Sequence, residues 1–334
     1  MTATKKTAIE GLIYKPGDRF CQLVFGDEKK YDAKCKAITE LRYVSIEPTN
    51  HCNLQCTMCY SDPSPRSKGF MSMELFKSLV DQISKIPTIK QVNLFYGGEP
   101  LMHPMYKEML EYVTMVPRRF RSVISTNGGL WNHEYSELVC DRELSWVHFS
   151  LDGVGAKHEE IRVGSNYDVV KKNIEDLLKT RGERKFPVIT INMVFSDHTR
   201  KDVEDFVKEW QGKRVTVVID TLMTEDFKYS KLKEMEMALG LELEDPVDYH
   251  EVCLSMNTFM GILWDGRTVS CCNYYEGQIE MGSANKTPLS QIFNGERYRK
   301  LRAMEETKSY PEGHPCKECD AGHWSFNIST DCKE

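Results

Sequence analysis

No stretch of these 334 residues approaches the roughly 18 consecutive apolar side chains that a membrane-spanning helix needs, so a helical membrane protein is excluded and no membrane partner is expected. The apolar core of an export signal is missing too. Met1 is followed by Thr2, Ala3, Thr4, Lys5 and Lys6, which leads nowhere hydrophobic, and a cytoplasmic location is expected. Charge of one sign is also scarce: a formal net charge of -6 offers no basic surface for a polyanion, and no nucleic-acid partner is expected. There is no solenoid repeat and no low-complexity tract. The 40% hydrophobic and 28% charged residues suit a globular chain with a sizeable core.

Cysteine, by contrast, is plentiful, with 12 in the chain. In an unexported protein these do not read as a disulfide framework, because reducing compartments keep thiols free; metal binding or catalysis is the expected use. Three of them, Cys52, Cys56 and Cys59, form a C-x3-C-x2-C triplet directly after the apolar stretch Tyr43 to Ile46. Cubane iron–sulfur clusters normally take four cysteines. A compact triplet with no fourth cysteine nearby therefore suggests a cluster with one iron left open to a small molecule. Buried or zinc-bound thiols are the plainer reading, although zinc wants a fourth ligand and His51 is poorly placed to supply it.

From residue 42 to about 220, strand-like runs alternate with amphipathic helix patterns. Strands are predicted at Tyr43–Ile46, Val92–Tyr96, Ser122–Ser125, Trp146–Leu151, Val188–Val194 and Val215–Asp220. Between them, sets such as Phe76/Leu79/Val80/Ile83 and Val170/Ile174/Leu177/Leu178 repeat at helical spacing, each defining one buried face. Six β/α units predict an α/β fold, a partial (β/α)6 barrel of the TIM type. The polar signals fall where strands end: the cysteine triplet, Gly97-Gly98-Glu99-Pro100, Ser125 to Gly128, and Ser150 to Gly153. In parallel β/α folds such loops build the ligand site. The remaining boundaries are an N-terminal extension over 1–40, the core over 41–222, a charged linker over 223–248 and a second domain over 249–334. That last domain carries half of the cysteines: Cys253, Cys271, Cys272, Cys316, Cys319 and Cys332.

The triplet after strand one, Gly97 to Pro100 after strand two, and the β/α succession around them resemble the radical S-adenosylmethionine (SAM) superfamily. The resemblance implies that Cys52, Cys56 and Cys59 bind a 4Fe–4S cluster whose open iron is chelated by SAM, and that a reduced cluster cleaves SAM to methionine and a 5′-deoxyadenosyl radical. It implies a flavodoxin or ferredoxin-type reductant. Gly97 and Gly98 would let the backbone approach the methionine moiety, Glu99 would offer a carboxylate or carbonyl to its ammonium group, and Pro100 completes the motif. Asn127, Ser150 and Asp152 fall where the family contacts ribose and the methionyl carboxylate, with Arg162 as a carboxylate partner. The same residues have plainer readings. Asn127-Gly128 and Asp152-Gly153 are ordinary turn dipeptides, and Arg162 suits a surface ion pair.

In the second domain, Cys253, Cys271 and the pair Cys316/Cys319 resemble the shortened auxiliary-cluster domain, called twitch, of the SPASM group. The resemblance implies a small α+β domain with one further 4Fe–4S cluster, closed by four cysteines. A full SPASM domain would need cysteines near 325 and 329, which are Ser325 and Ser329. A structural zinc site is the bland alternative. Cys272 reads as a small buried hydrophobe or as a thiol that donates a hydrogen atom to a substrate radical. The function so implied is oxidation of a sugar or aminocyclitol-like alcohol, with the second cluster as electron acceptor. The alternatives are a radical epimerase of a sugar or peptide residue, and a maturase acting on a peptide.

Overall fold

A computed structural model describes residues 13–14, 39–59, 65–117, 120–221, 253–271, 279–317, 319 and 325–329. The extension over 1–40 and the linker over 223–248 lie largely or wholly outside these, as do Cys21, Cys35, Cys272 and Cys332. All six predicted strands form. They are β2 (Tyr43–Ile46), β4 (Gln91–Asn93), β5 (Arg121–Thr126), β6 (Trp146–Ser150), β8 (Val188–Phe195) and β9 (Thr216–Thr221); short β1 (Ile13–Tyr14), β3 (Gln55–Cys56) and β7 (Arg162–Val163) complete this part. The helices between them are α1 (Met73–Lys85), α2 (Tyr106–Met115), α3 (His133–Asp141), α4 (Ala156–Ile161), α5 (Tyr167–Arg181) and α6 (Val203–Trp210).

Local chemistry sets several of these boundaries. Ser72, Asn132 and Asn166 each accept a backbone N–H of the first turn, at Leu75, Tyr135 and Val169, and so cap α1, α3 and α5. The apolar faces then bury as the spacing predicts: Phe76, Leu79, Val80 and Ile83 of α1 join one core with Val44, Ile46 and Val92 of the sheet.

The strands β2, β4, β5, β6, β8 and β9 pair in parallel, with Tyr43, Gln91 and Arg121 in one register row and His148 beside Thr190. Positions facing the helices are apolar, such as Val147, Phe149, Ile189 and Ile191. Alternate positions point to the opposite, concave face, and there the side chains are largely polar: Ser45, Asn93, His148, Ser150, Thr190 and Asn192.

The second domain continues the same sheet. It adds α7 (Leu254–Thr258), β10 (Phe259–Ile262), β11 (Arg267–Val269), β12 (Glu280–Ser283), α8 (Leu289–Phe293), α9 (Glu296–Glu306) and β13 (Ser325–Ser329). β10 pairs in parallel with β2, Met260 opposite Val44, and β11 and β12 follow antiparallel. β13 runs antiparallel to β9 at the other side. The result is one 11-stranded mixed sheet. Among the described residues no helix is long and apolar enough to cross a membrane.

Candidate active site

The ends of β2, β4, β5 and β6 bring the polar loops to one rim, as a parallel sheet dictates. The cysteine loop is fixed first. Its two-residue strand β3 pairs antiparallel with β7, which sets Cys56 opposite Arg162. Arg162 reaches from there to Asp152 (2.7 Å) and approaches the Cys56 Sγ at 4.0 Å. Burial pushes the Cys56 thiol up to about 11, while the Arg162 guanidinium pulls the other way. Burial likewise raises Cys52, and the three thiols lie close enough to feel one another's charge. Among the described residues no three cysteine, histidine or carboxylate side chains already converge as a metal shell does. The thiols are neighbours around a shared rim rather than a closed set.

The second loop packs on the first. Glu99 donates its backbone N–H to the His51 carbonyl at 2.7 Å. Its carboxylate is wholly buried and accepts from the Thr126 hydroxyl (2.8 Å), the Asn127 N–H (2.7 Å) and the Leu101 N–H (3.1 Å). Of the two groups Glu99 was expected to offer SAM, the carboxylate is thus engaged in joining loops two and three. Asn127 continues the chain of contacts, donating to Asn53 in the cysteine loop (2.9 Å). Asp152 accepts the Val194 N–H (2.6 Å) and pairs with Arg162, while Ser150 lies half-buried at the end of β6.

Burial raises the Glu99 carboxyl from 4.5 to about 7 despite its three donors. Folding therefore retains a proton that the unfolded chain has lost across that window, so stability falls as pH rises from about 4.5 to 7. The contribution is roughly 3 kcal/mol. In the SAM-free protein, Glu99→Gln is expected to flatten this slope. Amide hydrogen exchange at pH 5 and pH 8 would measure it; a slope equal to that of the wild type would assign the pH dependence elsewhere.

Four thiols of the second domain gather as a second group. Cys316 feels the charge of Cys253, Cys271 and Cys319, and burial with those neighbours pushes it up to about 12. Burial raises Cys253 to about 11. Buried Glu305 accepts the Cys253 N–H (2.9 Å) and the Tyr310 hydroxyl (2.5 Å), bracing α9 against this group. Soft thiolates in sets of three and four are the donors that iron–sulfur clusters take, and the two sets present here fit that chemistry.

Hydrogen bonds join the two sets. The Tyr96 hydroxyl, next to Gly97, donates to the Cys271 carbonyl at 2.6 Å. Glu47, at the end of β2 and fully buried, accepts both Arg66 nitrogens at 2.8 Å, the Gly97 N–H at 3.3 Å and the Trp264 N–H of the second domain at 3.0 Å. Sequence reasoning missed Glu47, Arg66, Tyr96 and Glu305. Only the carboxylate at a strand end, directly before the cysteine loop, gave a signal. His103, in the turn between the second loop and α2, is buried with its ring nitrogens at the Met71 carbonyl and the Met105 N–H.

Comparison with known proteins bears on this arrangement. The radical SAM superfamily model matches residues 46–209, and the iron–sulfur cluster-binding SPASM domain model matches residues 253–320. The chain belongs to the radical SAM superfamily. Within it the chain is one of the SPASM-bearing enzymes, whose cofactors are SAM and two iron–sulfur clusters. It is 24% identical over 328 residues to a tungsten-containing aldehyde ferredoxin oxidoreductase cofactor-modifying protein of Pyrococcus furiosus, covering 87% of this chain and 92% of the relative. Among solved structures, SuiB of Streptococcus suis bound to S-adenosylmethionine matches with a TM-score of 0.66 and 14% identity, over 80% of this chain and 68% of that one. BtrN in complex with AdoMet and 2-DOIA matches with a TM-score of 0.53 and 15% identity, over 84% and 93%.

Proposed function

We propose that Cys52, Cys56 and Cys59 hold a 4Fe–4S cluster open to SAM, that Cys253, Cys271, Cys316 and Cys319 close a second one, and that the enzyme oxidises an alcohol carbon of a polar small molecule. When bound, the first cluster and SAM supply a 5′-deoxyadenosyl radical that takes a hydrogen atom, and the second cluster accepts one electron. The balance is simple: the carbon loses a hydrogen atom and then an electron, the hydroxyl loses a proton, and a C=O bond results. The observation that carries this reading is the set of four thiols in the second domain, which leaves a cluster there no iron for substrate and suits it to electron transfer.

The chain's own residues do the positioning. Arg162, held by Asp152, sits beside Cys56 and places positive charge against the first set. Asn127 and Ser150 line the rim where SAM would lie, and Gly97 with Gly98 brings the second loop onto the first. A flavodoxin or ferredoxin-type protein supplies the first electron.

The test is a comparison of wild type with the quadruple alanine variant of Cys253, Cys271, Cys316 and Cys319 after anaerobic reconstitution. Iron near eight per chain should fall to about four. SAM cleavage should survive while ketone formation is lost. Ketone formation surviving in the variant would sink the electron-acceptor role, and retention of the alcohol with solvent hydrogen at the carbon would point to epimerisation.

A further inference from the structure

His148 and Ser150 lie two residues apart on β6 and so share the concave face of the sheet, about 7 Å from each other along the strand. Ser150 is at the rim proposed above for SAM, and the inference rests on that reading. His148 is then one layer deeper, stacked on Trp146 with ring centroids 4.9 Å apart.

Satisfying the buried donors around this ring assigns which nitrogen carries its proton. The Trp146 indole, a donor only, gives its N–H to the Thr190 hydroxyl oxygen at 3.1 Å. Thr190 is fully buried, and the acceptor found for its own hydroxyl proton among the described residues is His148 Nδ1. With Nδ1 accepting, the neutral ring carries its proton on Nε2, and no described residue accepts it. Burial holds the ring's pKa down at about 4, so it remains neutral at working pH.

On the neighbouring strand, Asn192 is the register partner of Ser150. Its Oδ1 is buried without a hydrogen-bond partner among the described residues. Gln91 Oε1, deeper on the same face, is in the same condition, while its amide donates to Asn93 and Asn93 donates to Ser45. Buried polar atoms ordinarily find partners. A donor at His148 and an unfilled acceptor at Asn192, one layer apart on adjacent strands, match a molecule whose groups each give and take a hydrogen bond.

We infer that His148 is a substrate-binding residue that donates through Nε2 to a hydroxyl oxygen of a neutral polyol, a sugar or cyclitol, with Asn192 accepting from a neighbouring hydroxyl. The polyol lies beneath the SAM position, in the layer of His148, and its orientation sets which carbon faces the rim. His148 neither abstracts a proton nor carries charge in this role.

The experiment uses reconstituted holoenzyme with SAM and a chemical reductant. C-deuterated myo-inositol and glucose serve as polyol probes and a C-deuterated Gly-Ser-Gly tripeptide as the contrasting one. Deuterium appearing in 5′-deoxyadenosine reports which probe sits within reach. The wild type should take deuterium from a polyol. His148→Phe should raise the KM for that polyol about tenfold, the scale of one lost hydrogen bond. His148→Gln, which keeps an N–H, should recover part of it, and SAM affinity should stay within about twofold in both. An unchanged KM in His148→Phe overturns the inference, as does deuterium taken from the tripeptide alone or from no probe. Deuterium transfer without any ketone would overturn the oxidation proposed above and leave the His148 assignment standing.

Discussion

Replacing Glu47 by Ala is expected to destabilise the junction between the two domains by about 3–5 kcal/mol, the usual cost of stranding one partner of a buried ion pair. Arg66 makes its bidentate contact to Glu47 with both side chains almost wholly out of solvent. The variant would take the Glu47 carboxylate from that guanidinium and from the N–H groups of Gly97 and Trp264. Trp264 would be loosened doubly, because its ring packs against Gly69 and its indole donates to the Ser67 carbonyl, in the segment that Arg66 anchors. Cluster-bearing proteins seldom unfold in two states, so the measurement is native-state hydrogen exchange at the Gly97 and Trp264 amides. Protection at both should collapse together. Glu47→Met combined with Arg66→Leu should recover much of the loss, since an apolar pair often replaces a buried ionic one at little cost. A loss below about 1 kcal/mol in Glu47→Ala would show that the domains are held by the sheet alone.

The second large effect is expected at Gly98. Its φ is +71°, and a Cβ there would stand 2.4 Å from the His51 carbonyl oxygen and 2.7 Å from the Asn50 carbonyl carbon. Both are backbone atoms and have no rotamer by which to step aside. Gly98→Ala must therefore push the second loop off the cysteine loop and break the bond from the Glu99 N–H to His51. A displacement of about 1 Å at a reacting site costs on the order of a hundredfold in rate. SAM cleavage should fall by at least that factor, while the iron held by the second domain is unchanged. Gly155 supplies the control: its φ is +58°, yet a Cβ would meet nothing within 4 Å. Gly155→Ala carries conformational strain of roughly 1–3 kcal/mol and should leave cleavage nearly intact. Equal loss in both variants would trace the effect to strain rather than to the contact between loops.

These two sites show where sequence reasoning stops. The six β/α units were legible because each buries one apolar face with a local period, as α1 does through Phe76, Leu79, Val80 and Ile83. Loop positions were legible because parallel strands end on one side. What each polar side chain does there was not. Glu99 and Asp152 carry carboxylates at the expected loops, but their partners, Thr126 and Val194 among them, come from other strands. β4 stops at Asn93, short of the predicted Tyr96, and that leaves Tyr96 to reach across to Cys271. No local pattern announces a contact between residues so distant in sequence. The polarity of the concave face was written in alternate positions such as His148 and Asn192, yet their meeting depends on the register of β6 against β8.

The pairing of β10 with β2 has a consequence for how the protein is made. Glu47 and Trp264, at the ends of these strands, are 217 residues apart. While the ribosome is still extending the chain, β2 can gain β4 on one side, but its other edge has no mate until the second domain emerges. An open strand edge is a template for pairing with the wrong chain, and contacts of such long range close slowly. The loop bearing Cys52, Cys56 and Cys59 follows that same strand, and Glu47 just before it gains the Trp264 N–H only when the second domain arrives. The edge of β2 that carries this junction is thus completed by a strand more than two hundred residues further along the chain.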